Sequence, residues 1–337
     1  MNVRDRTSRR AGLIALALAL LATLTTSVFV GSQSVAPVDV VAALQEGLSD
    51  VPSGDAADYH HIVWQLRVPR TLLALCTGAA LAVAGALTQT LTRNPLADPG
   101  FIGITSGAAC AVALGLVSGV VAGQFELAGL ALVGAALATA LVFFIARISA
   151  DFTTFLLAGV GVTATLQAIT MLLSLNATSV LDGLRQWTVG STFGRGYSDV
   201  AVAAIGFGAG MVVAIFAAHA LDIMAMGEDT ARSLGISPLV ATAVSVVAVV
   251  LLAGTATAAV GPMAFVGFAA PHIVRRLMGP ELRPTLTAVA MVGALLCLCA
   301  DILGRLLMRP GEVEMSIVMA IIGAPLLIWV VQGGKQC

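Results

Sequence analysis

Asp301 and Arg305 stand four residues apart inside an apolar run, which places them one turn apart on the same face of a helix, where carboxylate and guanidinium pair. Membrane-embedded acids are the groups that proton- and sodium-driven carriers use, and Asp301 is the main one in this chain. One acid neutralised by its own neighbour argues against ion-coupled transport, although carriers that hold ions with backbone carbonyls escape that argument. Nucleotide hydrolysis is a poorer fit. A phosphate-cradling loop of the form Gly-x-x-x-x-Gly-Lys-Ser/Thr needs a lysine that reaches the phosphates, and the single lysine is Lys335, two residues from the end. No catalytic residue is expected. Cys76, Cys110, Cys297 and Cys299 fall in apolar runs and Cys337 ends the sequence; none forms the Cys-x-x-Cys spacing of a zinc site, so packing is their expected role. His60 and His61 are a solvated pair or a metal contact, and His272, after Pro271, suits packing or capping. No metal centre is expected.

The elements that position these groups belong in lipid. Hydrophobic residues make up 58% of the 337 and charged residues 10%, against about 25% charged in soluble domains, and mean hydropathy is +0.99. A hydrocarbon core takes about 20 apolar residues per helix and satisfies the backbone only in helices or closed barrels. The runs are too long and too little alternating for barrel strands. They predict an all-α polytopic membrane protein, one transmembrane domain over 1–337, with ten helices at about 11–31, 71–91, 101–121, 127–146, 153–175, 200–219, 240–258, 263–278, 286–307 and 315–332. The first follows Arg4, Arg6, Arg9 and Arg10, as a signal peptide would, but its full bilayer length reads as an uncleaved helix.

With the amino terminus inside, Arg4, Arg6, Arg9, Arg10, Arg93, Arg147, Arg232, Arg275, Arg276, Arg283 and Lys335 lie on the cytoplasmic side, 11 of the 17 basic residues. Arg67, Arg70, Arg185, Arg195, Arg305 and Arg309 lie outside, a bias that follows the positive-inside rule. The even helix count then makes both termini cytoplasmic. The long segment 32–66, with Asp39, Glu46, Asp50, Asp55 and Asp58, becomes an outer loop. Net charge is −1 and no basic patch suggests nucleic acid.

Small residues recur on the second helix at Gly78, Ala82, Gly85 and Ala86, ending at Gln89. Such a face admits a neighbouring helix or lines a solute pathway; Gly85, Gln89, Asn94, Pro95 and, on the fifth helix, Gln167 are the candidate lining residues. Three further segments stand out. Arg67-Val-Pro-Arg70 enters the second helix, and two prolines with Gly100 enforce a turn after it. The segment 220–238 reads as a cytoplasmic handle. Gly227 precedes the helix-starting acids Glu228 and Asp229, and Gly235 suits the position after its end. Ala231 and Leu234 share one side of that short helix and suit a groove on another protein. Gly261 to Arg276 is apolar but broken by Gly and Pro, as where backbone lines a cavity or a helix bends.

Arg67-Val-Pro-Arg70, Asn94-Pro-Leu-Ala-Asp-Pro99, Gly261-Pro-Met-Ala-Phe-Val-Gly267, Pro271-His-Ile-Val-Arg275, Ala300-Asp-Ile-Leu-Gly-Arg305 and Ile322-Gly-Ala-Pro325, in this order along essentially the whole chain, resemble the FecCD/BtuC-type permeases of ATP-binding-cassette importers. That family usually carries Glu-Leu-Pro-x-Gly before its last helix, whereas this chain has Glu312-Val-Glu-Met-Ser316. The departure, together with the 89–100 segment, is similar to the D-type ferric-enterobactin permeases.

The resemblance implies a BtuC-like bundle in a bacterial cytoplasmic membrane, taking up a ferric siderophore by alternating access. A haem or cobalamin importer and, in a different class, an ion-coupled siderophore carrier are the alternatives. Implied partners are a second permease subunit, related or identical, an extracytoplasmic siderophore-binding protein, and two ATPase subunits that bind ATP and magnesium, which this chain does not. By the same resemblance Arg67, Arg70 and Arg305 meet acids of the binding protein at the outer rim. Membrane anchoring is the rival role for Arg67 and Arg70, and pairing with Asp301 the rival for Arg305. ATPase coupling falls on Gly227, Glu228, Asp229, Ala231, Arg232, Leu234 and Gly235.

Overall fold

A computed structural model describes residues 3–47, 55–121, 123–146, 152–176, 184, 187–309 and 311–333; Arg147, Arg185, Lys335 and Cys337 lie outside them. The described residues are mostly helical, and seven helices are long and apolar enough to cross a membrane. The chain runs through α1 (Val3–Phe29), α2 (Pro37–Glu46), α3 (Asp55–His61), α4 (Val68–Leu91), α5 (Ile104–Val117), α6 (Gln124–Ala146) and α7 (Phe152–Asn176). It continues through α8 (Tyr197–Met224), α9 (Glu228–Ser233), α10 (Pro238–Val249), α11 (Thr255–Val260), α12 (Val266–Met278), α13 (Leu286–Leu307) and α14 (Met315–Gly333). All ten expected spans have a helical counterpart; those at 101–121 and 315–332 correspond to shorter apolar helices beside the seven, and that at 263–278 to the 13-residue α12, which belongs to neither group.

Segment 32–66, expected as an outer loop, holds short helices among its described residues, and Asp50 lies outside those. Pro37, at the first turn of α2 where a missing N–H costs nothing, starts a helix there, and α3 runs through a π-helical turn, Ile62–Arg67, directly into α4. Val40, Ala43 and Val63 are buried together, so this segment packs on its own small core. Trp64 Nε1 donates to Ala43 O at 2.8 Å and Tyr197 Oη to Trp64 O at 2.6 Å, tying it to α2 and α8.

The axis of the bundle is α4. In its most apolar stretch 83% of residues are buried, against 6% for α1 and 11% for α7, which lie at the perimeter. Glycine makes that central place possible. A Cβ on Gly78 would come within 2.5 Å of Gly293 O on α13, and one on Gly85 would fall on the Gly267 backbone of α12. Backbones that close gain dispersion contacts along their length, the main attraction left between helices once lipid replaces water. A π-turn at Val250–Gly254 joins α10 to α11, and Gly261, at φ +84°, ends α11 before α12 starts. The break expected between Gly261 and Arg276 is therefore at 261–265.

These helices give the bundle two distinct ends. One gathers the end of α1, the start of α4, the end of α13 and the start of α14; the other carries α9. At 1.5 Å per residue, the 28 residues of α8 hold the ends about 42 Å apart.

Candidate functional site

Five arginines, Arg67, Arg70, Arg195, Arg305 and Arg309, converge on the first end. Helix α1 has no basic residue in its own last turn, so its final carbonyls look elsewhere for donors. Arg67 Nη1 donates to Val28 O at 3.1 Å and Phe29 O at 2.9 Å, and its Nη2 to Gln33 O at 2.8 Å. Arg305 Nη1 donates to Ser27 O at 2.7 Å and Val30 O at 3.0 Å, and Arg309 Nη2 to Gly31 O at 2.8 Å. Cations at the negative end of the helix dipole stabilise it twice, by charge and by hydrogen bond.

Beneath this cap lies an ionic core. Asp301 is fully buried: its Oδ1 accepts Arg70 Nε at 2.8 Å and Thr192 Oγ1 at 2.7 Å, while Oδ2 pairs with Arg305 Nη2. The turn-apart pairing expected between Asp301 and Arg305 is present, and Arg70 joins it from 231 positions away. Arg70 Nη1 pairs in turn with Glu312, and its guanidinium lies 6.0 Å from the Phe193 ring centroid.

Arg67, Arg70 and Arg305 are 4, 8 and 1% exposed, so the structure places them in the floor of the site instead of on an open rim. The reason is the carbonyl cluster and Asp301, which draw the guanidiniums inward. Above them is a cleft of about 250 Å³, lined by all three together with Gln33, Phe193, Arg195 and Glu312. Arg195, Arg309, Glu312 and Thr192 were not selected from the sequence, and only the charge of Arg195 and Arg309 among basic outer residues signalled them. Burial pulls the Arg195 guanidinium below the usual arginine range, and Asp199, 3.7 Å away, opposes the shift.

The departure from the family's last-helix motif has a structural account. Ser316 N donates to Gly190 O at 3.2 Å and its hydroxyl to Val189 O, which staples the start of α14 to segment 187–196. Ser191 N reaches Val260 O at 2.9 Å, so the same segment is tied to α11. Those bonds hold Thr192, Phe193 and Arg195 over the cleft.

The second end carries the handle. Gly227, at φ +115°, turns the chain out of α8, α9 runs for six residues, and Gly235, at φ +80°, ends it. Gly235 N bonds Arg232 O at 3.0 Å and Ile236 N bonds Ala231 O at 2.9 Å, closing the last turn. Ala231 is fully buried while Leu234 is 61% exposed, so the two do not share an outward face. The projecting apolar side chains are Met226, Leu234 and Leu239. Asp229 and Arg232 are exposed and pair at 3.4 Å.

Of the expected pathway residues, Gly85 and Gln89 face inward. Gln89 is buried between helices, its Nε2 donating to Gly267 O at 3.0 Å and its Oε1 accepting from Arg275. Both lie in the α4–α12 interface and line no open space, because that crossing is as close as backbones allow. Asn94 closes its own turn, Oδ1 accepting Leu96 N at 2.9 Å, and Pro95 is exposed. Asp98 caps the turn Pro99–Ile102 through Gly100 N at 2.8 Å, and burial pushes its carboxyl above the usual range. Gln167 is exposed on α7. Among the described residues no group of three or more metal-ligating side chains occurs.

Comparison with known proteins agrees with this architecture. The ferric enterobactin transport system permease protein FepD of Escherichia coli is 38% identical over 94% of this chain and 93% of its own length. The probable siderophore transport system permease protein YfiZ of Bacillus subtilis is 34% identical over 84% and 86%. A solved structure described as an inward-facing metal-chelate type ABC transporter superposes with a TM-score of 0.81 at 27% identity, covering 95% of this chain and 98% of that one. The model of the FecCD transport family matches residues 18–333. The chain belongs to the FecCD transport family.

Proposed function

We propose that this chain is one permease subunit of an ATP-binding-cassette importer that admits a ferric siderophore, catecholates foremost, across a bacterial cytoplasmic membrane. The observation that carries the reading is the handle. A membrane bundle holds a capped six-residue helix with exposed Met226, Leu234 and Leu239 out at one end, an apolar knob suited to a groove on an ATPase subunit. The chelate class comes from the relatives, whose names specify enterobactin and other siderophores. In this reading both termini and α9 face the cytoplasm, the arginine cleft faces the binding protein, and a second, related permease completes the pore. Gly227, Glu228, Asp229, Ala231, Arg232, Leu234 and Gly235 carry the stroke: the glycines set the handle's angle, buried Ala231 seats it on the bundle, and Leu234 enters the ATPase. Gln167, on an exposed face of α7, is left as the candidate pathway residue.

Reconstitution in vesicles tests this. With the second permease, the ATPases and a binding protein loaded with a ferric tris-catecholate, uptake is expected to require ATP and to survive an uncoupler. Uptake by this chain without any ATPase, abolished by an uncoupler, would overturn the proposal.

A further inference from the structure

We infer that Arg195, with Phe193 as its collar, is the principal contact in the cleft for an acidic side chain of the docking protein; the inference rests on the docking reading above. The argument is an inventory of what each cation already holds. Arg67 is spent on three carbonyls near the end of α1, and Arg305 on two more and on Asp301. Arg70 is shared between Asp301 and Glu312. A carboxylate arriving from outside would have to strip one of these buried groups of its partner, leaving an uncompensated charge behind.

Arg195 is differently placed. Its ion pair is the long one to Asp199 at 3.7 Å, and Asp199 has other donors: Gly196 N at 2.9 Å and Gln124 Nε2. The guanidinium can therefore turn to a second carboxylate while Asp199 stays bonded. Its side chain is 15% exposed and lines the cleft, on a segment whose backbone is held just before it by the Ser191 and Ser316 bonds and which runs directly after it into α8. The same cleft is lined by Phe193, 63% exposed, and Leu66, 49% exposed. An arginine ringed by apolar surface that excludes water on contact is the anatomy of an interface hot spot. The cleft lining holds four arginines and one glutamate, so the complementary partner is an acid with apolar surface around it. The deeper arginines supply field and keep the floor rigid; they need not move.

Affinity of the assembled importer for the binding protein of a ferric-catecholate uptake system, measured across ionic strength, tests the assignment. Arg195→Gln is expected to weaken binding about tenfold at low salt and to flatten the salt dependence, with Arg195→Lys recovering part of it. Phe193→Ala, at an exposed position that leaves the fold alone, is expected to weaken binding without changing the salt slope. Wild-type binding matched by Arg195→Gln and Phe193→Ala would overturn the assignment and leave the docking reading standing. A wild-type importer that engages no binding protein would overturn both.

Discussion

Asp301, fully buried, pairs with Arg70 and Arg305 at once, and that arrangement is costly to break from one side. Removing the carboxylate leaves two buried guanidiniums facing each other. Loss of one partner of a buried pair typically costs about 3–5 kcal/mol, so Asp301→Ala is expected to destabilise the folded subunit by that order, read by thermal unfolding in detergent. Glu312, whose side chain is 15% exposed at the cleft and which pairs with Arg70, is expected to cost less as Glu312→Gln, since the amide oxygen still accepts from Arg70 and Arg70 keeps Asp301. Equal losses for the two variants would mean that the ionic core is not organised around Asp301. The Asp301–Arg305 half of this core was legible in the sequence, because a helix fixes what four residues of separation mean. Its other half was not: no local pattern tells that Arg70, or Thr192, comes home to the same carboxylate. Nor does periodicity show that Arg67, Arg305 and Arg309 are claimed by the carbonyls at the end of α1.

Among the helices, the apolar lengths predicted the spans well, since each must match the same thickness of hydrocarbon. The helices inside segment 32–66 were not read from the sequence because α2 and α3 are short, and the packing of α2 depends on a small core with Val63. The side of a short helix that faces its own bundle was equally illegible at α9. There the structure makes a sharp distinction between two neighbours. Leu234→Asp replaces an exposed side chain, so stability is expected to change by no more than about 0.5 kcal/mol, while ATP-driven uptake falls by at least about tenfold if this knob enters the ATPase. Ala231→Asp buries a charge under the handle and is expected to lower the melting temperature as well. Uptake unaffected by Leu234→Asp would remove α9 from the coupling path. Glycines on α4 and α7 form a second contrasting pair. Gly85→Ala meets the Gly267 backbone and is expected to cost about 1–3 kcal/mol. Gly161→Ala, with nothing within 4 Å, is expected to stabilise its helix by about 0.5–1 kcal/mol. Unfolding of the two variants side by side checks whether the α4 stripe is a packing surface.

For the molecule as a whole, the question is how movement at α9, if the handle couples to an ATPase as proposed, would reach the arginine cleft. The handle continues directly from α8, and the last turn of α8 carries Asp222, whose Oδ1 accepts Leu282 N at 2.8 Å and whose Oδ2 accepts Arg283 N at 2.9 Å. Those two amides open the short turn Arg283–Thr285 that starts α13, and α13 ends at Asp301 and Arg305. Both carboxylate oxygens of one side chain thus clamp the base of the rod whose tip forms the cleft floor. Arg93 Nη2, donating to Met224 O at 3.2 Å, ties the end of α4 to the same place. A tilt imposed on α9 through the ATPases would be passed to α13 by this clamp, because a helix backbone is stiff along its length and both amides are held by the one carboxylate. Asp222→Ala is therefore expected to leave assembly and ATP hydrolysis near wild type while uptake per ATP falls several-fold, and Asp222→Asn, which keeps one carbonyl acceptor, to fall between them. Stability should drop by about 1–3 kcal/mol, the cost of two unsatisfied amides near the surface, so uptake is to be compared at a temperature where both variants remain folded. Unchanged uptake per ATP in Asp222→Ala would show that the stroke travels through α4 or α10 instead, and that the clamp only fixes the end of the bundle.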